Sequence, residues 1–163
     1  MQIAGRVWIF GDDINTDLIF PNTAFRLPVE EQVKLVFSSN RPGWVNQVQR
    51  SDIIVAGRNF GTGSSRPGAA LLKRLGLGGL MADSINGLFY RNCISYGLPA
   101  LQCEGVSEIF NEGDEAEIDL GKGTVKNRRT GETLKGSQLT SEVIDILATG
   151  GIEELLRKKG FIE

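Results

Sequence analysis

Ser64, Ser65 and Arg66 place two hydroxyls and a guanidinium side by side, directly after Gly61-Thr-Gly63 and directly before Pro67. The glycines let a backbone turn tightly, and proline suits a first helical turn. Unpaired N–H groups of such a turn, together with a helix N-terminus, favour an anion, and a guanidinium can fork onto a carboxylate as lysine cannot. A small anionic ligand is therefore the first expectation. Taken alone, the same residues equally describe a Gly-Ser-rich turn capped by serine. A phosphate cradle of the Walker type would need a lysine that is missing here, and the dinucleotide-binding glycine spacing is not met.

Two other stretches carry polar groups at close spacing. Gly11-Asp-Asp-Ile-Asn-Thr-Asp-Leu-Ile-Phe-Pro21 holds Asp12, Asp13, Asn15 and Asp17 within six positions. It lacks the central glycine and the twelfth-position glutamate of a helix–loop–helix calcium loop, so calcium is not expected. Asp12 and Asp13 read as turn formers, which is the ordinary fate of such residues. In Phe89-Tyr-Arg-Asn92 the aromatic pair reads as core, with Arg91 and Asn92 bracing the central loop from behind.

The elements that must position these groups follow from periodicity. Residues 52–57, 79–83 and 98–101 are short apolar runs of strand length, separated by helical patterns at 69–75 and from 84 to a stop at Gly97, with Ser84 as the expected cap. Strand, helix, strand, helix, strand implies right-handed crossovers and a small parallel sheet in a three-layer core. After Gln102 the pattern changes to alternation at 115–119, 124–126 and 133–134 with glycine turns between, an antiparallel meander or partial barrel closed by a strand at 5–10. Residues 22–28 read as loop, 29–37 as helix, 44 onward as a short helical piece, and the C-terminal stretch as two helices broken at Gly150-Gly151. The fold class is α/β, and 163 residues with 40% hydrophobic content suit one domain spanning 1–163.

Composition excludes several functions. Eighteen basic and 20 acidic residues, net −2, are mixed without a long run of either sign, so neither a nucleic-acid groove nor a membrane-binding stripe is expected. No stretch reaches about 18 apolar residues, and the first residues lack the blocks of a signal peptide, which makes the cytoplasm the expected compartment. Two cysteines, Cys93 and Cys103, and no histidine support neither a disulfide scaffold, nor a zinc site, nor a four-cysteine cluster; no metal ligand is assigned to this chain.

Taken together, Gly11-Asp-Asp-Ile-Asn-Thr-Asp17, Val55-Ala-Gly-Arg-Asn-Phe-Gly-Thr-Gly-Ser-Ser-Arg66 and Leu88-Phe-Tyr-Arg-Asn92 followed by Gly97-Leu-Pro99 resemble, in this order and spacing, the small subunit of 3-isopropylmalate dehydratase. The same chain type serves homoaconitase and related hydro-lyases of the aconitase superfamily. The resemblance covers nearly the whole chain and implies a swivelling β/β/α domain. It further implies a partner, a large subunit whose [4Fe-4S] cluster has one open iron position, with no cofactor bound by the small subunit itself. It maps the catalytic base to Ser64 and the substrate carboxylate to Ser65 and Arg66, with Thr16 and Asp17 reaching the same site from the first loop. In Phe25-Arg26-Leu27, Leu27 facing the substrate would favour an apolar substituent and Arg26 an extra carboxylate.

The implied chemistry is dehydration and rehydration of a hydroxy di- or tricarboxylate, as in leucine biosynthesis. A Lewis-acid metal loosens the hydroxyl while a positioned base takes the proton of the neighbouring carbon. Serine serves as that base only where N–H groups and a cation favour its alkoxide, which the turn and Arg66 would provide. Where the family continues with glutamate after Arg66, this chain has Pro67-Gly68, removing a carboxylate that would orient the arginine. Homoaconitase or a 2,3-dimethylmalate dehydratase is the nearest alternative. A non-catalytic anion-binding module and a regulatory or structural subunit with a dead site are the readings from other classes; among partners, the isolated chain could also pair with copies of itself.

Overall fold

The computed structural model describes residues 1–63 and 67–163. In chain order the elements are β1 (Gln2–Ile9), α1 (Thr16–Ile19), α2 (Val29–Lys34), β2 (Ile53–Ala56), α3 (Gly68–Arg74), β3 (Gly79–Ala82) and α4 (Gly87–Ser95). They continue with β4 (Ala100–Gln102), α5 (Val106–Ile109), β5 (Glu115–Asp119), β6 (Thr124–Asn127), β7 (Thr133–Lys135), α6 (Ser141–Thr149) and α7 (Ile152–Lys158). Two 3-10 turns lie at Asn22–Ala24 and Trp44–Asn46.

The strands form one seven-stranded sheet in the order β4-β3-β2-β1-β5-β6-β7. β1 to β4 are parallel, and β5 to β7 run antiparallel to their neighbours. β1 joins the halves: Gln2 to Arg6 pair with β5, whereas Val7 to Ile9 pair with β2. Every residue of β2 and β3 is buried, because crossover helices and the meander cover both faces of the parallel half. Alternation sorts the side chains. Trp8, Phe10, Ile54, Ala56, Leu80, Ala82 and Ala100 face a core shared with Ile19 of α1, Leu71 and Leu72 of α3 and Phe89 of α4. Val7, Ile53, Val55, Met81 and Leu101 face a second core with Val106, Ile118, Val125 and Leu147. The meander thus packs on the sheet it extends. The Ser137 N–H, just beyond β7, donates to the Gln102 carbonyl of β4 at 3.0 Å, so the two edges of the sheet meet as in a partial barrel.

Several local readings are corrected. The helix expected at 29–37 ends at Lys34, because Phe37 takes φ 55° to put its ring in the aromatic cluster with Phe10 and Trp44 and its N–H on the Ile19 carbonyl. Asn86, not Ser84, caps α4, accepting from the N–H groups of Leu88 and Phe89. Ser84 instead accepts from the Asn59 N–H at 2.8 Å. The strand expected at 98–101 starts two residues later; α1 forms within the polar 11–21 stretch, and α5 lies between β4 and β5.

Candidate functional site

The carboxyl ends of parallel strands are where an open α/β sheet presents unpaired groups to a ligand. Here three connections converge there: residues 10–15 after β1, 57–63 after β2 and 83–86 after β3. The first two run side by side. Asp13 N–H donates to Arg58 O at 2.8 Å, Gly61 N–H to Ile14 O at 2.7 Å, and Thr16 N–H to Thr62 O at 2.9 Å. The third closes on the other side, with Phe60 N–H on Ser84 O and Asn86 N–H on Phe60 O.

Acidic and amide side chains lock this ladder. Asp12 accepts from the Arg58 N–H at 2.7 Å, and a Cβ on Gly57 would stand 1.8 Å from its carboxylate. Asp13 accepts from the Asn59 amide at 2.9 Å. Asp13 and Asn59 both occupy left-handed backbone, which aspartate and asparagine tolerate better than other side chains. Both aspartates are therefore braces of the loop, the role their turn-forming character implies. Asn15 caps α1 by accepting from the Leu18 N–H at 2.9 Å. This fixes Thr16, which is buried, and Asp17, which is exposed, in the first turn.

Glycines bring α1 and α4 against the loop. Gly63, at φ 116°, lies so close to Thr16 that an added Cβ would be 2.7 Å from the threonine hydroxyl. Gly61, at φ 81°, lies against Phe89, and Gly68 is sandwiched between Ile19 and Phe89. Thr16 is thus in contact with the residue that precedes the Ser-Ser-Arg run. Ser64, Ser65 and Arg66 themselves lie outside the described residues; the structure defines the frame up to Gly63 and again from Pro67, the N-cap of α3. Gly68 occupies a tight position, so the departure Pro67-Gly68 is matched by close packing on Ile19.

Arg26 and Leu27 are both exposed, on the segment between the 3-10 turn and α2. Gln32 of α2 holds that segment by its backbone, its Nε2 donating to Phe25 O at 3.1 Å and Leu27 O at 2.9 Å. Gln32 and Asn59 are positioning residues that sequence reasoning did not single out. The signal for Gln32 was a polar residue buried within a helix of otherwise exposed polar side chains, which only the fold reveals.

Among the described residues no group of three or more histidine, cysteine or acidic side chains is placed to hold a metal. Cys93 and Cys103 are buried, and burial pushes both thiols above their ordinary range, away from the thiolate a metal or cluster needs. The donor set does not fit an iron–sulfur cluster.

The aconitase C-terminal domain family matches residues 26–105. The isopropylmalate/citramalate isomerase small subunit of Methanocaldococcus jannaschii is 45% identical over 160 residues, covering 96% of this chain and 95% of its own. The chain belongs to the 3-isopropylmalate dehydratase small-subunit family. Other members of that family are similar at comparable length. The 3-isopropylmalate dehydratase small subunit 1 of Thermotoga maritima is 44% identical, covering 98% of this chain and 97% of its own. The methanogen homoaconitase small subunit of Methanothermobacter thermautotrophicus is 40% identical, covering 92% and 88%. The crystal structure of a 3-isopropylmalate dehydratase from Methanocaldococcus jannaschii superposes with a TM-score of 0.89 at 33% identity, covering 98% of this chain and 96% of that one. The α/β architecture with its parallel sheet and curled meander is therefore that of the small-subunit family.

Proposed function

We propose that this chain is the small subunit of a two-subunit hydro-lyase that isomerises a hydroxy di- or tricarboxylate of the isopropylmalate type by dehydration and rehydration. One observation carries the reading. In a chain matched along nearly its whole length by dehydratase small subunits, the loops after β1 and β2 are laced together at the strand carboxyl ends, setting Thr16 against Gly63.

In this proposal Ser64 is the base that takes the proton from the substrate carbon, and Ser65 and Arg66 receive a substrate carboxylate. Thr16 and Asp17 reach the substrate from α1. The frame suits that work, since its bonds hold residues 58–62, which lead into the run, against the loop after β1 before substrate arrives. The partner is a large subunit, as the small-subunit names of the relatives support, and in this reading it carries the cluster that would polarise the departing hydroxyl. The whole chain, 1–163, acts as one swivel domain closing on the partner, and exposed Phe25, Leu27, Val29 and Leu88 supply apolar surface for it to cover. The cytoplasm is the proposed compartment; among the described residues no helix is long and apolar enough to cross a membrane.

The test is a Ser64→Ala small subunit co-expressed with its large subunit and assayed anaerobically, with co-purification as the control for assembly. Turnover should disappear while the subunits still co-purify. Turnover near wild type in the assembled variant would rule Ser64 out as the base. A second reading, homoaconitase, is supported by the 40% identical methanogen small subunit and by the exposed Arg26. Comparing isopropylmalate, citramalate, dimethylmalate, citrate and homocitrate in the same assay separates them: preference for an apolar substituent implicates Leu27, and preference for a third carboxylate implicates Arg26.

A further inference from the structure

A cavity of about 310 Å³ opens at the other pole of the parallel sheet, where Ser51, Gly78 and Pro99 lead into β2, β3 and β4. Its volume is at the lower end of small-ligand pockets, roughly 300–1,000 Å³. Arg50, from the segment before β2, and Lys73 and Arg74, from the last turn of α3, line it together with Ile3 and Leu147. None of the described residues lining it carries a carboxylate. The chain as a whole is net negative, so three cations around one concavity are not its average surface.

Among the described residues no acid pairs with these cations. Among the described residues Arg6, Arg41, Arg128 and Arg129 are each ion-paired, but no ion pair involves Arg50, Lys73 or Arg74. The C-terminal dipole of α3 accounts for cations at 73 and 74. It does not account for Arg50, which comes from another segment and lies close enough to Lys73 to repel its charge. Burial first, and then Arg50, lower the ammonium pKa of Lys73. Lys73 is meanwhile tethered, donating to Gly97 O at 2.8 Å, so its charge is held at the cavity rather than swung into solvent. A pocket built this way gains most from a ligand with charges of opposite sign.

We propose that this cavity is a second anion site, distinct from the loops after β1 and β2, that binds a small polyanion with at least two negative charges, a polycarboxylate or an oligophosphate. The inference does not rest on the dehydratase reading. Its test is a titration of the ¹⁵N-labelled full chain at low salt with citrate and, separately, with pyrophosphate. Wild type, Arg50→Ala/Arg74→Ala and Ser64→Ala are compared. The amides of Arg50, Ser51, Gly76 and Gly78 should shift in wild type and in Ser64→Ala, and the double variant should bind there at least tenfold more weakly. Tighter citrate binding assigns a polycarboxylate, and tighter pyrophosphate binding an oligophosphate. Shifts confined to residues 11–17 and 57–63, or unchanged affinity in the double variant, would overturn the proposal. A measurement that needs no variant is protection of Lys73 from amine acylation, read by mass spectrometry. Saturating anion should slow labelling of Lys73 severalfold while exposed lysines such as Lys158 react as before, and equal labelling with and without anion also overturns it.

Discussion

Replacing Gly61 with alanine perturbs the frame of the candidate site at one atom. The new Cβ would lie 2.3 Å from Cγ, 2.5 Å from Cβ and 2.7 Å from Cδ1 of Phe89. Phe89 cannot yield easily: it is buried in α4 and its ring packs edge-on to Phe60 at 5.5 Å. Overpacking of this kind costs about 1–3 kcal/mol. The φ of 81° adds roughly 1 kcal/mol for any residue with a Cβ. Gly61→Ala should therefore lose about 2–4 kcal/mol, measured by urea denaturation of the isolated chain, and turnover of the reconstituted enzyme should fall because Gly61 leads directly into Gly63 and the Ser-Ser-Arg run. Pairing it with Phe89→Ala removes Cγ and Cδ1 but leaves the phenylalanine Cβ position filled, so rescue should be partial. The double variant should lose less than the sum of the singles by on the order of 1–2 kcal/mol. A Gly61→Ala variant within about 0.5 kcal/mol of wild type, or strict additivity in the cycle, would refute the reasoning.

Asp52, buried at the amino end of β2, accepts from Arg6 Nη2 at 2.8 Å, Trp8 Nε1 at 2.7 Å and Gln49 N–H at 2.8 Å. Asp52→Ala leaves the Trp8 and Gln49 donors unpaired and should cost about 2–4 kcal/mol in the same denaturation assay. Burial pushes the Asp52 carboxyl up, but Arg6, the Gln49 N–H and Trp8 outweigh it and hold the pKa below its ordinary value. At Asp114, Arg129 leads, burial opposes, and the Asn111 N–H and Asn127 add to a well-depressed pKa. Both folded values lie below the unfolded one, so this stability is complete above about pH 4 and is lost as pH falls through the folded values. Acid titration followed by circular dichroism should show the loss beginning there, with a shallower acid limb in Asp114→Asn; identical limbs would contradict the assignment. Cys93 and Cys103 should both resist a thiol reagent in the native chain and react in urea, since burial raises both thiols. Gln32→Leu, which removes two bonds to the backbone of residues 25 and 27, should raise KM severalfold and alter the ratio between substrates with little change in assembly. An unchanged substrate ratio would show that the 25–28 segment does not face the substrate.

The parallel half of the sheet was legible because β2 and β3 are buried on both faces, and burial on both faces leaves continuous apolar runs that pattern alone can find. The meander was legible for the opposite reason, since one covered face leaves alternation. The motif order also carried the family, which the length and identity of the relatives bear out. What the chain did not disclose is how caps and braces are shared. Ser84 and Asn86 both suit an N-cap, and the choice depends on Phe60, whose backbone takes both the Ser84 carbonyl and the Asn86 N–H and so moves the helix start two residues on. Gln32 stands among exposed polar residues of α2, and it is buried because the segment at 25–27 folds over it. The Ser64-Ser65-Arg66 run is plain in the sequence by itself. That Thr16 is set against Gly63, with α1 and α4 pressed on the same loop, only tertiary structure decided, because those contacts join segments dozens of residues apart through glycines whose missing Cβ atoms leave no periodic trace.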